Sequence, residues 1–199
     1  MSTTNLKIEA GAATRTELIR TARRLFVAGY EEVGTSAIAE AAKVTRGALY
    51  HHFSDKRALF AAVVDQVAAD LVERINAAAI SHVESPVESV IAGCRAFIAA
   101  CHDVETRQIY LVDAPAVLGW SAWRDIDTHY GLGSLKDGLG KCAADGFIAQ
   151  EDVDSVAHLI SGALNEAVFV VAAEPTNILL QKRLDASVDR MVRGFFEAE

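Results

Sequence analysis

Proline is nearly absent from this chain of 199 residues, with three in all (Pro86, Pro115 and Pro175), so long stretches run without a residue that breaks helices. Cysteine is equally sparse. Cys94, Cys101 and Cys142 make an odd number with no CxxC pair, which excludes a disulfide framework. In a reducing compartment such residues are expected to be small buried hydrophobes, although the adjacent Cys101 and His102 leave a redox or metal role open. No uninterrupted apolar run reaches the ~18 residues of a membrane span, and the opening MSTTNLKIEAGAATRTEL holds no apolar stretch of signal-peptide length. The protein is therefore expected in the cytoplasm, with no membrane partner. GxSxG, HExxH and P-loop patterns are all missing, so neither an enzyme nor a bound cofactor or metal is expected.

Hydrophobic residues make up 51% of the chain and charged residues 23%, the balance of an ordinary folded protein. A net charge of −8 argues at first against a nucleic-acid partner, but its distribution reverses that. Residues 1–60 carry nine Lys/Arg against six Asp/Glu, a net +3, and residues 61–199 carry ten against twenty-one, a net −11. A basic head can meet phosphates while an acidic body stays in water.

Apolar residues recur at helical spacing almost throughout, and no strand pattern or internal repeat competes with them. The chain reads as all-α, with about nine helices. Residues 1–13 lack periodicity and are expected to form a flexible arm. Thr14 and Glu17 fit a capping box opening the first helix, and Gly29 suits the left-handed position past its end. Thr35 or Ser36 is expected to cap a short second helix with Ile38, Ala39 and Ala42 inward. Thr45 is expected to cap a third, Arg46 to Phe53, with Leu49 and Phe53 inward. Only Lys43–Thr45 separates the two, so they must cross steeply. A fourth helix runs from Ser54/Asp55 to about residue 80. Ser85, Pro86 and Glu88 open a fifth, ending near His102. A short helix over 105–113 is expected to end at Pro115. Residues 120–145 read as one helix that either breaks near Gly131 or uses its glycines for close packing, the second being preferred. Two apolar helices, 152–173 and 177–197, complete the chain. The domains are thus the arm, a helix-turn-helix DNA-binding domain over 14–60, and a helical ligand-binding and dimerisation domain over 61–199.

The leading helix ELIRTARRLFVAGY, the segment TSAIAEAA, the turn KVTRGALYHHF and the following SDKRALF fall within residues 15–60, and their order, residue types and spacing form one combined pattern. This stretch resembles the DNA-binding head of the TetR/AcrR family of bacterial regulators. DAPAVLGWSAWRDIDTHYGLG, at 113–133, is also similar to a segment in one branch of the family's ligand domains. Arg46 is the long cation at the front of the third helix, suited to bidentate contact with guanine O6 and N7. Gly47 and Ala48 are small enough for close approach, and Ala48 can touch a thymine methyl. Thr45, Tyr50, His51 and Lys56 are read as phosphate contacts. The resemblance implies backbone-gripping roles for Thr45, Tyr50, Lys56 and Thr35 or Ser36. Tyr50 as partial core, and His51 and His52 as plain surface, are the alternatives. Arg23, Arg24 and Arg57 are read as a solvated face. One departure stands out, since the turn residue usually held by glycine is Lys43. A left-handed lysine there costs roughly 1 kcal/mol, so the turn either takes another shape or tolerates the strain.

Specific operator affinity calls for a homodimer on a palindrome, and the last two helices carry enough apolar surface to form a four-helix interface. Phe97, Cys101, Tyr110, Trp120, Trp123, His129 and Tyr130 are the candidate walls of a small-molecule effector pocket, which the resemblance implies. Asp113 and Arg124 either orient a polar ligand group or pair with each other. The expected function is a sequence-specific DNA-binding transcriptional regulator, a repressor released by a small molecule. An activator, a non-specific DNA binder and an enzyme are the competing readings.

Overall fold

The computed structural model describes residues 3–82 and 85–196, with side chains from Gly11 onward. Eleven α-helical segments follow one another among these residues, with no strand: α1 (Thr3–Phe26), α2 (Thr35–Ala41), α3 (Arg46–His52), α4 (Lys56–Ile80), α5 (Pro86–Cys101), α6 (Val104–Thr106), α7 (Ala114–Leu118), α8 (Trp120–His129), α9 (Gly131–Ala144), α10 (Val153–Ala173) and α11 (Ile178–Arg193). The count exceeds nine because two expected helices are divided. The region near 105–113 holds α6, a π-helical turn over Arg107–Asp113, and α7. Pro115 does not end a helix there. It sits in the first turn of α7, where its missing N–H costs nothing. The widened π turn before it accommodates a ring that would otherwise press on the carbonyl four residues back.

Residues 120–145 break at Tyr130, whose backbone (φ −113°, ψ −90°) is not helical. Both alternatives for this glycine-rich stretch therefore hold, at different positions. A Cβ on Gly133 would lie 2.5 Å from the Thr128 carbonyl oxygen, so only glycine lets α9 start so close to the end of α8. A Cβ on Gly138 would lie 3.0 Å from Val90 Cγ2, the close packing of α9 on α5.

The described residues up to Val67, with Arg107–Trp123, form one compact unit; Ala68–Thr106 with the described residues from Arg124 onward form the other. The first unit takes in the 107–123 segment as well as the head, and α4 passes without interruption from one unit into the next. In the first unit Leu18, Ala22, Phe26, Ile38, Leu49 and Phe60 are buried. Phe60 meets Phe26 edge-on at 5.1 Å and Tyr30 at 4.9 Å. Three hydrogen bonds tie the 107–123 segment to this core. The Asp113 carboxylate accepts from the Tyr30 N–H at 2.8 Å and from Gln108 Nε2 at 3.0 Å. The Arg57 guanidinium donates to the carbonyls of Val117 (3.2 Å) and Leu118 (2.8 Å), satisfying the end of α7. Arg57 is exposed, as expected of a solvated face, and clamps the end of α7 as well. Asp113 and Arg124 do not pair, because Arg124 bonds Asp127 at 2.6 Å.

Several helix starts differ from expectation. Helix α1 begins at Thr3, because Leu6, Glu9, Ala10, Ala12 and Ala13 are good helix formers even without an amphipathic pattern. The expected arm is therefore helical over 3–13, while residues 1 and 2 lie outside the described residues. Thr14 falls inside α1, and Glu17 pairs with Arg20 (2.7 Å) and accepts from Thr21 (3.0 Å) instead of closing a capping box. Gly34, not Thr35 or Ser36, caps α2. Thr45, Ser85 and Asn177 do cap α3, α5 and α11 through their side chains.

In the second unit α5 packs on α9, α10 and α11. Arg95 pairs with Asp189, and Arg193 holds Glu88 through two bonds of 2.6 and 2.9 Å, so α5 and α11 are pinned by charge as well as packing. These bonds pull the Glu88 carboxyl below its usual range. The stretch Gln150–Ala173 reaches a mean hydropathy of 1.6 over 18 residues, enough by length and composition for a membrane span although no uninterrupted apolar run is that long. Its place as the central helix of this unit accounts for that content, with Val156, Ile160, Leu164, Val168 and Val171 buried.

Lys43 adopts a φ of 57°, so the strained alternative holds for the turn. Replacing it with glycine is expected to raise unfolding stability by about 1 kcal/mol in denaturant titration, since the left-handed backbone no longer opposes a Cβ. Asp113→Ala, which strands the Tyr30 N–H, is expected to lower it by about 1–3 kcal/mol in the same assay.

Candidate nucleic-acid interface and effector cavity

The turn between α2 and α3 sets which residues face outward. With Lys43 left-handed, the Val44 N–H bonds the Ala39 carbonyl at 2.9 Å and the Lys43 N–H bonds that of Glu40 at 3.0 Å, a Schellman closure. Thr45 is then extended, and its hydroxyl oxygen accepts from the Ala48 N–H at 3.1 Å. Leu49 and Phe53 turn into the core. Thr45, Arg46, Gly47, Tyr50 and His51 are left exposed and Ala48 half-buried, so the expected reading edge lies on the surface.

Tyr50 is 43% exposed, which rules out the alternative of a core residue. Its hydroxyl lies 3.2 Å from Thr35 Oγ1, joining the first residue of α2 to α3. The Arg46 guanidinium carbon is 5.9 Å from the Tyr50 ring centroid, one helical turn away. Hydrogen bonding with Thr35, then with Arg46, holds the Tyr50 phenol below its ordinary range. Thr35, half-buried, and Ser36, exposed, stand at the start of α2. His51 and His52 meet edge to face at 5.3 Å.

The Lys56 ammonium sits 3.8 Å from the centre of the Tyr30 ring, and the side chain is half-buried. The N-terminus of α4 is already served by Asp55, whose Oδ1 accepts from the Ala58 N–H at 2.7 Å. A carboxylate there competes with any phosphate for the same N–H groups. Arg15, which sequence reasoning passed over, lies with its guanidinium carbon 5.1 Å from the Phe53 ring centroid, beside the end of α3. Its only sequence signal was a place one turn before the apolar face of α1.

The second unit contains a cavity of about 630 Å³. Its apolar walls include Ile75 from α4, Val90, Cys94 and Phe97 from α5, and Leu164 from α10. Of the seven expected wall residues, Phe97, His129 and Tyr130 line it. Tyr110, Trp120 and Trp123 belong to the first unit, where Trp123 lies 6.1 Å from Tyr110 and 4.9 Å from Trp120; Trp120 is 61% exposed. Cys101 is fully buried and does not line the cavity. Tyr110, Trp123 and Cys101 are aromatic or apolar for packing reasons, and aromatic content alone does not separate the two roles. Sequence reasoning missed Asn76, Ser134 and Asp127. Ser134 Oγ donates to Asn76 Oδ1 at 2.6 Å across the cavity wall. Asp127 falls one turn after Trp123, a spacing that marks it as inward-facing.

All three cysteines are buried, and none forms a disulfide. Burial pushes the Cys94 thiol up to about 12 and the Cys142 thiol up to about 11, so both stay protonated and unreactive at neutral pH. Among the described residues no His/Cys/Asp/Glu group is arranged to hold a metal ion.

Comparison with known proteins agrees with this architecture. Residues 18–63 match the model of bacterial regulatory proteins of the tetR family, and residues 87–195 match that of the tetracyclin repressor-like C-terminal domain. A TetR-family transcriptional regulator from Pectobacterium atrosepticum is 33% identical, with a TM-score of 0.79 covering 96% of this chain and 97% of that one. The TetC protein of transposon Tn10 from Escherichia coli is 27% identical over 81% of this chain and 82% of its own length. The transcriptional repressor AcnR of Corynebacterium efficiens is 39% identical over 64 residues, 32% of this chain and 34% of AcnR. With both halves matched, and the second match alone spanning more than half its length, the chain belongs to the TetR family of DNA-binding transcriptional regulators.

Proposed function

We propose that the protein is a homodimeric cytoplasmic repressor that binds a palindromic operator through α3 and is released by a small molecule held in the 630 Å³ cavity. The observation that carries the reading is the outward edge Thr45–Arg46–Gly47–Ala48, raised on a helix whose opposite side is locked into the core by Leu49 and Phe53. Arg46 reads a base, while Thr45, Tyr50 and Thr35 or Ser36 fix the register on phosphates. Lys56 joins them only by leaving the Tyr30 ring.

Dimerisation is supported by the apolar side chains that α10 and α11 leave uncovered. Leu159 is 61% exposed and Leu179 59%, with Phe169 and Ile178 also exposed. A second copy supplies the cover by two-fold symmetry. Helix α4 is the connecting rod. It starts beside α3 at Lys56, and Val72, Ile75 and Asn76 near its far end line the cavity. A ligand that prefers one setting of this rod shifts the population between operator-binding and released states by its differential affinity, and by no more. A bound effector also has precedent in a structural relative of the same fold, RolR, which holds resorcinol.

On the palindrome beside its own gene, Arg46→Ala is expected to lose about 1–3 kcal/mol of binding in fluorescence anisotropy and to relax one operator position. Unchanged affinity and specificity contradict the assigned reading role. Light scattering at micromolar concentration is expected to return twice the 21.3 kDa chain mass, with Leu159→Glu shifting the protein towards monomer. A monomeric wild-type protein rejects the dimer.

A further inference from the structure

We infer that the cavity selects apolar ligands carrying a hydrogen-bond donor, an amine above all, and rejects carboxylic acids; this rests on the cavity being the effector site. The selecting group is Asp127. It is only 5% exposed, and it stands on a wall otherwise built from side chains such as Ile75, Val90, Phe97 and Leu164. Its partner Arg124 bonds Oδ2 at 2.6 Å and reaches Ser161 Oγ at 3.5 Å. Of the ion pair, Asp127 is a lining residue of the cavity and Arg124 is not. The face turned to a ligand is therefore an acceptor, and a carboxylate has lone pairs for several donors at once.

The remaining charged or basic groups of the lining, the exposed His129, Asp137 and Lys141, do not reverse this sign. Asp137 and Lys141 lie one helical turn apart on α9, both exposed, where opposite charges and water cancel most of their field. The Ser134–Asn76 bond makes a neutral polar patch, which a hydroxyl or amide can use but which adds no positive charge. An anionic ligand seated on the apolar wall meets the carboxylate end of the Asp127–Arg124 pair, and the dipole of that pair disfavours it. An ammonium or hydroxyl meets an acceptor already fixed in place by Arg124, a preorganised partner. The volume of about 630 Å³ leaves room for an aryl-alkyl skeleton beside that contact.

Three probes with one carbon skeleton separate the charge from the apolar contribution: 4-phenylbutylamine, 4-phenylbutan-1-ol and 4-phenylbutanoate, titrated calorimetrically into the full-length protein at neutral pH. The amine is expected to bind at least about tenfold more tightly than the acid, with the alcohol between them. Asp127→Asn is expected to remove about tenfold of the amine's affinity and leave the alcohol nearly unchanged. The wild-type series needs no variant, so the comparison stands even where Asp127→Asn fails to fold. An acid that binds as tightly as the amine overturns the selectivity while leaving the effector site intact. If none of the three binds, the effector-site reading itself fails, and the selectivity falls with it.

Discussion

Lys43 in a left-handed backbone is the constraint from which the DNA-binding surface follows. Its φ of 57° reverses the chain within three residues, lets Val44 close on Ala39, and leaves Thr45 extended to cap α3. Without that reversal α3 would not lie across α2 with Leu49 inward and Arg46 outward. A lysine pays for a conformation that glycine takes freely, and the buried contacts of Ile38, Ala39 and Leu49 hold it there. The strain lies beside the surface assigned to DNA, and Lys43 itself is exposed, so its charge stays at that surface.

The same economy of connection recurs farther along the chain. Helices α4 and α8 each have one end in the first unit and the other in the second. Near its first residues α4 carries Arg57, clamped to the end of α7, and near its last turns it lines the cavity. Helix α8 begins with Trp120 and Trp123 in the aromatic group of the first unit and ends with Asp127 and His129 on the cavity wall. In the first unit Arg57 thus bonds the end of α7 and Asp113, ahead of α8, bonds Tyr30, and in the second unit both helices carry residues of the cavity wall.

Much of this was legible in the sequence, for reasons that differ by element. The apolar line Leu59, Phe60, Val63, Val67, Leu71 and Ile75 gave α4 its length and buried face, and the caps Thr45 and Ser85 marked true helix starts. These are local signals. What escaped depended on distant partners. Thr14–Glu17 has the form of a capping box, but a helix already running from Thr3 and the nearby Arg20 removed its role. Arg57 is exposed, but its clamp role is not legible locally, because its acceptors, the carbonyls of 117 and 118, lie sixty residues on. Tyr110 and Trp123 were read as pocket walls because an aromatic stripe is the same string of letters whether it packs a core or faces a cavity. Asp127 was passed over because a lone carboxylate is ordinarily surface, and only its placement beside Arg124 reveals the burial.

The account turns on the leading edge of α3 reading bases in a symmetric pair of half-sites. Repeated selection of duplexes by the purified protein from a random-sequence pool, at physiological salt, tests this most directly. Enrichment of an inverted repeat with half-site centres about 34–36 Å apart, or a multiple of that helical turn, is the predicted result. A pool that stays random while the protein still binds it, or a protein that retains no duplex at all, contradicts it.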